Sequence, residues 1–120
     1  MTEPAVLLKL LVLKTRQTDK LVAFYRSLGI TFNEEQHGKG PVHYAANMGG
    51  MVLEIYPLPD DTGTTDQTTR LGFAVANLVQ VVEDLQTSGT IVTRPLHQGP
   101  WGHRAVVQDP DGRAIELYQR

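Results

Sequence analysis

Cysteine is absent from this chain, which excludes disulfides, thiolate metal sites and a cysteine nucleophile, and suits a reducing compartment. A basic stripe is missing as well. The eleven Lys and Arg residues are scattered and the net charge is −2, so no surface can neutralise a run of phosphates and no nucleic-acid partner is expected. No apolar run approaches the ~20 residues that span a bilayer, because Lys9 and Lys14 interrupt the longest one. No positively charged leader precedes a signal-like core, and the expectation is a cytoplasmic protein without membrane attachment. The alternating oxygen ligands of an EF-hand are also lacking around "DPDG", which leaves that stretch as turn chemistry: Asp109 accepts backbone N–H bonds, Pro110 fixes φ and Gly112 tolerates a positive φ.

What is present is a hydrophobic fraction of 41% over 120 residues, with 20% charged, enough for one compact unit with its own core. The chain is also an internal duplication. Shifted by 62 positions (115 − 53), Leu53, Glu54, Ile55 and Tyr56 fall on Ile115, Glu116, Leu117 and Tyr118, and Gly50 falls on Gly112. Gly29 matches Gly89 at a shift of 60, so a two-residue indel separates the halves in their middle strands.

Each half reads as a strand, a helix and three short strands. In the first, "VLLKLLVLKT" is an apolar, β-compatible run. "TDKLVAFYRSLG" follows with Thr18 as expected N-cap, apolar Leu21, Val22, Phe24, Tyr25 and Leu28 at helical spacing, and Gly29 as terminator. "ITFNEEQH", "VHYAAN" and "MVLEIYP" complete the unit. The second half repeats it with "RLGFAVA", a helix in "NLVQVVEDLQTSG" between Asn77 and Gly89, then "TIVTRPL", "HRAVVQ" and "AIELYQ". The predicted architecture is α+β: two tandem β-α-β-β-β modules forming a curved mixed sheet around a cavity, with helices on the outer face. Residues 1–120 form a single domain, with module one at about 5–57, a polar linker at 58–67 and module two at about 68–120.

Alternation along the strands then assigns faces. Leu53 and Ile55 should meet the helix while Glu54 and Tyr56 point away from it, and likewise Ile115 and Leu117 against Glu116 and Tyr118. If the last hairpin turns through four residues, 109–112, Ala105 pairs with Glu116 and His103 shares its face; the equivalent register puts His43 beside Glu54. His37 and His97, in loop-like settings beside Gly, are expected at the surface.

"KLVAFYRSLGI" (20–30) and "DPDGRAIELYQ" (109–119), set in the duplicated frame, resemble the helix-one signature and final hairpin of the vicinal oxygen chelate superfamily, which includes glyoxalase I, bleomycin-resistance proteins, fosfomycin-resistance enzymes and extradiol dioxygenases. The resemblance covers essentially the whole chain. It implies metal ligands on the first and last strands of each module, with Glu54 and Glu116 at the late positions. The early positions fall on Leu10, which cannot bind a metal, and Arg70, a cation without a free lone pair. Trp101, in "QGPWGHR", matches the mobile aromatic loop of the drug-binding members and is a candidate lid residue. Members often dimerise, so a homodimer is expected.

Two readings from different classes follow. The first is a glyoxalase- or bleomycin-resistance-like protein that binds a small molecule in the sheet cavity through Glu54, Glu116, Arg70, Tyr56, Tyr118, His43, His103 and Trp101, with no cofactor and without the full metal site; Glu116 is the best catalytic candidate if it reacts at all. The alternative is a divalent-metal-dependent lyase, isomerase or dioxygenase in which Glu54 and Glu116, with His43 or His103, hold Zn²⁺, Mn²⁺, Fe²⁺ or Ni²⁺.

Overall fold

The computed structural model describes residues 3–59, 63–100 and 102–120. The two tandem modules are present, each with its own four-stranded mixed sheet. Module one runs β1 (Leu10–Thr15), α1 (Thr18–Ser27), β2 (Asn33–Glu35), β3 (His43–Met48) and β4 (Met51–Pro57). Module two runs β5 (Leu71–Val75), α2 (Leu78–Thr87), β6 (Val92–Gly99), β7 (Gly102–Gln108) and β8 (Ala114–Gln119). The strand orders are β1-β4-β3-β2 and β5-β8-β7-β6. The last strand of each module returns to lie parallel to its first, the arrangement a crossover helix permits. No helix among the described residues is long and apolar enough to cross a membrane.

The faces follow the alternation. Leu13, Leu53 and Ile55 are buried against α1, which contributes Leu21, Val22, Phe24 and Tyr25; Val75, Val107, Ile115 and Leu117 are buried with Leu78, Val82 and Leu85 of α2. These side chains form one apolar cluster that runs through both modules, so neither half has to build a core by itself. Each fully buried aliphatic side chain contributes roughly 1.5–3 kcal/mol. Glu54, Tyr56, Glu116 and Tyr118 sit on the opposite, helix-free faces and are only partly covered.

Two local expectations need correction. Thr18 is the first residue of α1 and caps nothing; Gln17 takes the cap position, with its own N–H held by the Thr15 hydroxyl at 3.1 Å. The final hairpin turns through five residues, not four. Asp109 Oδ1 accepts from the N–H groups of Asp111 (2.9 Å) and Arg113 (3.1 Å), the Asp109 N–H donates to the Arg113 carbonyl (3.0 Å), and Gly112 takes φ 92°. Gln108 therefore pairs with Ala114, and Val106, not Ala105, stands opposite Glu116. This one-residue slip reverses β7: Arg104 joins the face of Glu116 and His103 leaves it.

The same turn joins the modules. Arg113 is 1% exposed, and its Nη1 reaches Asp109 Oδ2 at 3.1 Å and Asp111 Oδ2 at 3.2 Å. From module one, the Tyr25 hydroxyl donates to Asp109 Oδ2 at 2.8 Å, the Gln17 amide donates to Asp111 at 2.7 Å, and the Lys14 carbonyl accepts from Arg113 Nη2 at 3.3 Å. The Tyr25 ring also leans on Phe73 of module two, with centroids 5.7 Å apart. Arg113→Ala would strand two buried carboxylates, and removing one member of a buried ion pair costs on the order of 3–5 kcal/mol; urea denaturation should show a loss of that size. Burial first, then the charge of Asp109, pushes the Tyr25 phenol above its ordinary value. The folded state therefore holds this proton more tightly, so its contribution is complete below about pH 10 and is lost as pH rises beyond it. Tyr25→Phe should flatten that alkaline decline in stability, measured by denaturation between neutral pH and pH ~11.

Candidate functional site

On the helix-free face of module one, neighbouring strands bring Glu35, His43, Tyr56 and Glu54 together. Glu35 of β2 lies directly across from His43 of β3. The His43 ring stacks on Tyr56 with centroids 4.1 Å apart and planes 7° from parallel. Its Nδ1 contacts the Pro41 carbonyl at 3.2 Å, an interaction that requires the proton on Nδ1 and leaves Nε2 as a lone pair in the neutral ring. That Nε2 is buried, has no hydrogen-bond partner, and lies 3.4 Å from Glu35 Oε1 and 3.8 Å from Glu54 Oε2. His43 thus shares the face of Glu54, but Ala45 and not His43 stands directly across from it, a register shift of two that keeps the face.

Module two uses the same row of positions with different residues. Tyr118 lies opposite Arg104, and Arg104 opposite His97. Arg104 Nη1 donates to Glu116 Oε1 at 3.1 Å while its Nε donates to His97 Nε2 at 3.2 Å; His97 Nδ1 faces the Pro95 carbonyl at 2.9 Å, which fixes the neutral tautomer. Arg70, just before β5, places Nη2 3.7 Å from the same Glu116 oxygen. One carboxylate is shared by two guanidiniums. Arg94 is in register with Val106, in the same row as Glu116. Gly72 faces Glu116 across the parallel pair, and a Cβ there would come within 3.3 Å of the Tyr118 ring, so the glycine leaves room for the tyrosine to approach β5.

Of the residues singled out from sequence, Glu54, Tyr56 and His43 meet in one group and Glu116, Arg70 and Tyr118 on the other module's face. His103 is turned away by the five-residue hairpin, and Trp101 lies outside the described residues. Arg104 was missed because a four-residue turn put its neighbour on the wrong side. Glu35 and His97 had a readable signal, the alternation in "NEEQH" and the strand spacing of β6, but two bulges in β6 break the count for His97. Clefts of about 350 and 310 Å³ occur elsewhere: one is lined by Leu28, Ile30, Met48, Phe73 and Val75, the other by Phe24, Ile91 and the Asp109 turn. Neither is lined by these charged residues.

The family profile described as Glyoxalase/Bleomycin resistance protein/Dioxygenase superfamily matches residues 8–117. The chain belongs to this superfamily. A protein of Mycolicibacterium smegmatis (strain ATCC 700084 / mc(2)155), named only as uncharacterized, is 24% identical over 110 residues, covering 92% of this chain and 90% of that protein. Among solved structures, oxidase ChaP-H2 superposes with a TM-score of 0.75 at 15% identity, covering 98% of this chain and 95% of its own. A glyoxalase-related enzyme from Fulvimarina pelagi does so at 0.72 and 20% identity, covering 95% and 88%. At these identities the likeness is one of fold, which hosts many chemistries.

Divalent metals are common in this superfamily, yet the residues at its ligand positions here do not form such a site. Leu10 is apolar and 52% exposed on β1, Arg70 is a cation, and Glu116 is already paired with two guanidiniums. Two carboxylates remain, and a metal ion would compete with Arg70 and Arg104 for one of them. The Arg104 and Glu116 side chains are about four-fifths covered and in hydrogen-bond contact, whereas Arg70 is 64% exposed. Double-mutant cycles read by urea denaturation should accordingly give a coupling of about 1–2 kcal/mol for Arg104 with Glu116 and under about 0.5 kcal/mol for Arg70 with Glu116.

Proposed function

We propose that this chain is a ligand-binding member of the glyoxalase/bleomycin resistance superfamily that captures a small anionic molecule on the helix-free face of module two, without the superfamily's full metal site. The observation that supports it is the sharing of Glu116 by Arg104 and Arg70, with Arg94 in the same row. Three cations against one carboxylate leave the face positively charged. Glu116 holds Arg104 in place, and the exposed edge of Arg70 is presented to solvent, where a carboxylate or phosphate can be gripped by a planar fork. Tyr118, lying over Gly72, supplies a flat apolar wall beside these charges.

Glu54, Tyr56 and His43 belong to the companion face in module one, where an incoming hydroxyl or amine would find acceptors. The reading includes a homodimer, supported by Val6, Leu7, Leu8 and Leu10, which are all more than half exposed ahead of and on β1, an edge strand. It also places the protein in the cytoplasm. The metal-dependent lyase, isomerase or dioxygenase reading lacks first-strand donors in both modules, at Leu10 and Arg70.

A thermal-shift screen with small carboxylates, aromatic carboxylates, glycopeptides and inorganic phosphate checks the assignment, since a ligand at 100 times its Kd stabilises the folded state by about 2.7 kcal/mol. At least one anion should raise Tm, and Arg70→Gln should abolish the rise while leaving the Tm of the free protein within about 2 °C. A panel without any shift, or a shift that survives both Arg70→Gln and Arg104→Gln, overturns it.

A further inference from the structure

We infer that module one carries a divalent transition-metal site made by Glu35, His37 and His43, separate from the positions where the superfamily places its ions. Their donor atoms all lie within 4.8 Å of one another. His43 Nε2 is 3.4 Å from Glu35 Oε1, and His37 Nε2 is 3.6 Å from the same oxygen. Bonds of ~2.0–2.1 Å meeting at a tetrahedral angle place neighbouring donors about 3.3–3.4 Å apart, so two of the spacings already stand near those of a filled site.

The independent observation is the state of His43. Its side chain is 1% exposed, and Nε2 has no hydrogen-bond partner, a condition that costs about 1–3 kcal/mol for a buried polar atom unless something satisfies it. That nitrogen points at the two carboxylates. The Pro41 carbonyl holds Nδ1 on the other side of the ring, the arrangement that orients metal-ligating imidazoles and makes them better donors. Tyr56 fixes the ring plane by stacking. Glu54 Oε2, 3.8 Å from His43 Nε2, lies beside the three ligands as a hydrogen-bond acceptor and not as one of them.

The remaining two donors come from the β2–β3 hairpin, "EEQHGKGPVH". Its loop is tied by the Gln36 amide donating to the Gly40 carbonyl at 2.9 Å and by the Gly40 N–H donating to the His37 carbonyl at 3.0 Å. His37 is mostly exposed, and its ring lies 5.1 Å from that of His43, centroid to centroid. An ion therefore clips the exposed end of a short hairpin to the buried ring. Two imidazoles and one carboxylate select Zn²⁺, Co²⁺ or Ni²⁺ over the oxygen-seeking Mg²⁺ and Ca²⁺.

Untagged full-length protein, stripped with chelator, should bind about one Zn²⁺ per chain in calorimetric titration, and Co²⁺ in its place should show the intense visible absorption of a low-coordinate nitrogen and oxygen site. His37→Ala, at an exposed position that leaves the fold intact, should weaken Zn²⁺ binding by about 100-fold, at least the loss caused by removing a supporting partner of a ligand. Glu35→Gln should do the same, and His103→Ala, which removes a histidine from outside the group, should change nothing. No saturable Zn²⁺ binding, or wild-type affinity in both His37→Ala and Glu35→Gln, overturns the site. Anion-induced thermal shifts measured on the same samples keep the outcome distinct from that of the module-two reading, because Arg70→Gln removes one response and His37→Ala the other.

Discussion

The buried contact between Arg113, Asp109 and Tyr25 is the constraint on which the rest of this molecule depends. It fixes the relation of the two modules through a charge-assisted network whose members come from the last hairpin of one and the helix of the other. The same carboxylate, Asp109, also sets the length of that hairpin by binding two backbone N–H groups. Hairpin length sets the register of β7 on β8, and register decides which side chain meets Glu116. A structural interaction thereby selects the chemistry of a surface on the far side of the sheet.

Duplication made the two faces from one plan, and a single row of positions shows how they diverged. In module one the row reads Lys14, Tyr56, His43, Glu35; in module two it reads Ala74, Tyr118, Arg104, His97. The tyrosine is common to both, as is the late glutamate one step along the strand. His43 and Arg104 occupy the equivalent place and differ in kind: an imidazole able to offer a lone pair in one module, a permanent cation in the other. The late glutamate consequently faces an imidazole in module one and guanidiniums in module two.

Much of this was legible because side-chain alternation has a period of two and the duplication supplied two independent copies of it. The faces of Glu54 and Glu116, the helix positions and the stops at Gly29 and Gly89 all come from such local regularities, and the helix-one and last-hairpin motifs carried the family. The errors lie where a single inserted residue decides the outcome. Four or five residues in the Asp109 turn cannot be told apart by counting, since the difference is set by side-chain hydrogen bonds of Asp109, and the result moved His103 off the face and Arg104 onto it. Arg113 was overlooked for a related reason: a charged residue beside a turn ordinarily faces water, and its burial depends on carboxylates of its own loop and a phenol far away in sequence. The alternation in "NEEQH" gives Glu35 a face, but its place directly across from His43 depends on the pairing of β2 with β3.

The contacts that join the modules span 84 residues from Tyr25 to Asp109 and 99 from Lys14 to Arg113. Closing so long a loop is entropically costly before any contact rewards it, whereas each sheet assembles from strands of one half. Strand pairing within each sheet is therefore expected to precede these contacts in folding, with the Asp109 turn locking as the shared core closes. Damage to that joint falls chiefly on the rate at which the folded protein comes apart, and much less on the rate at which it forms.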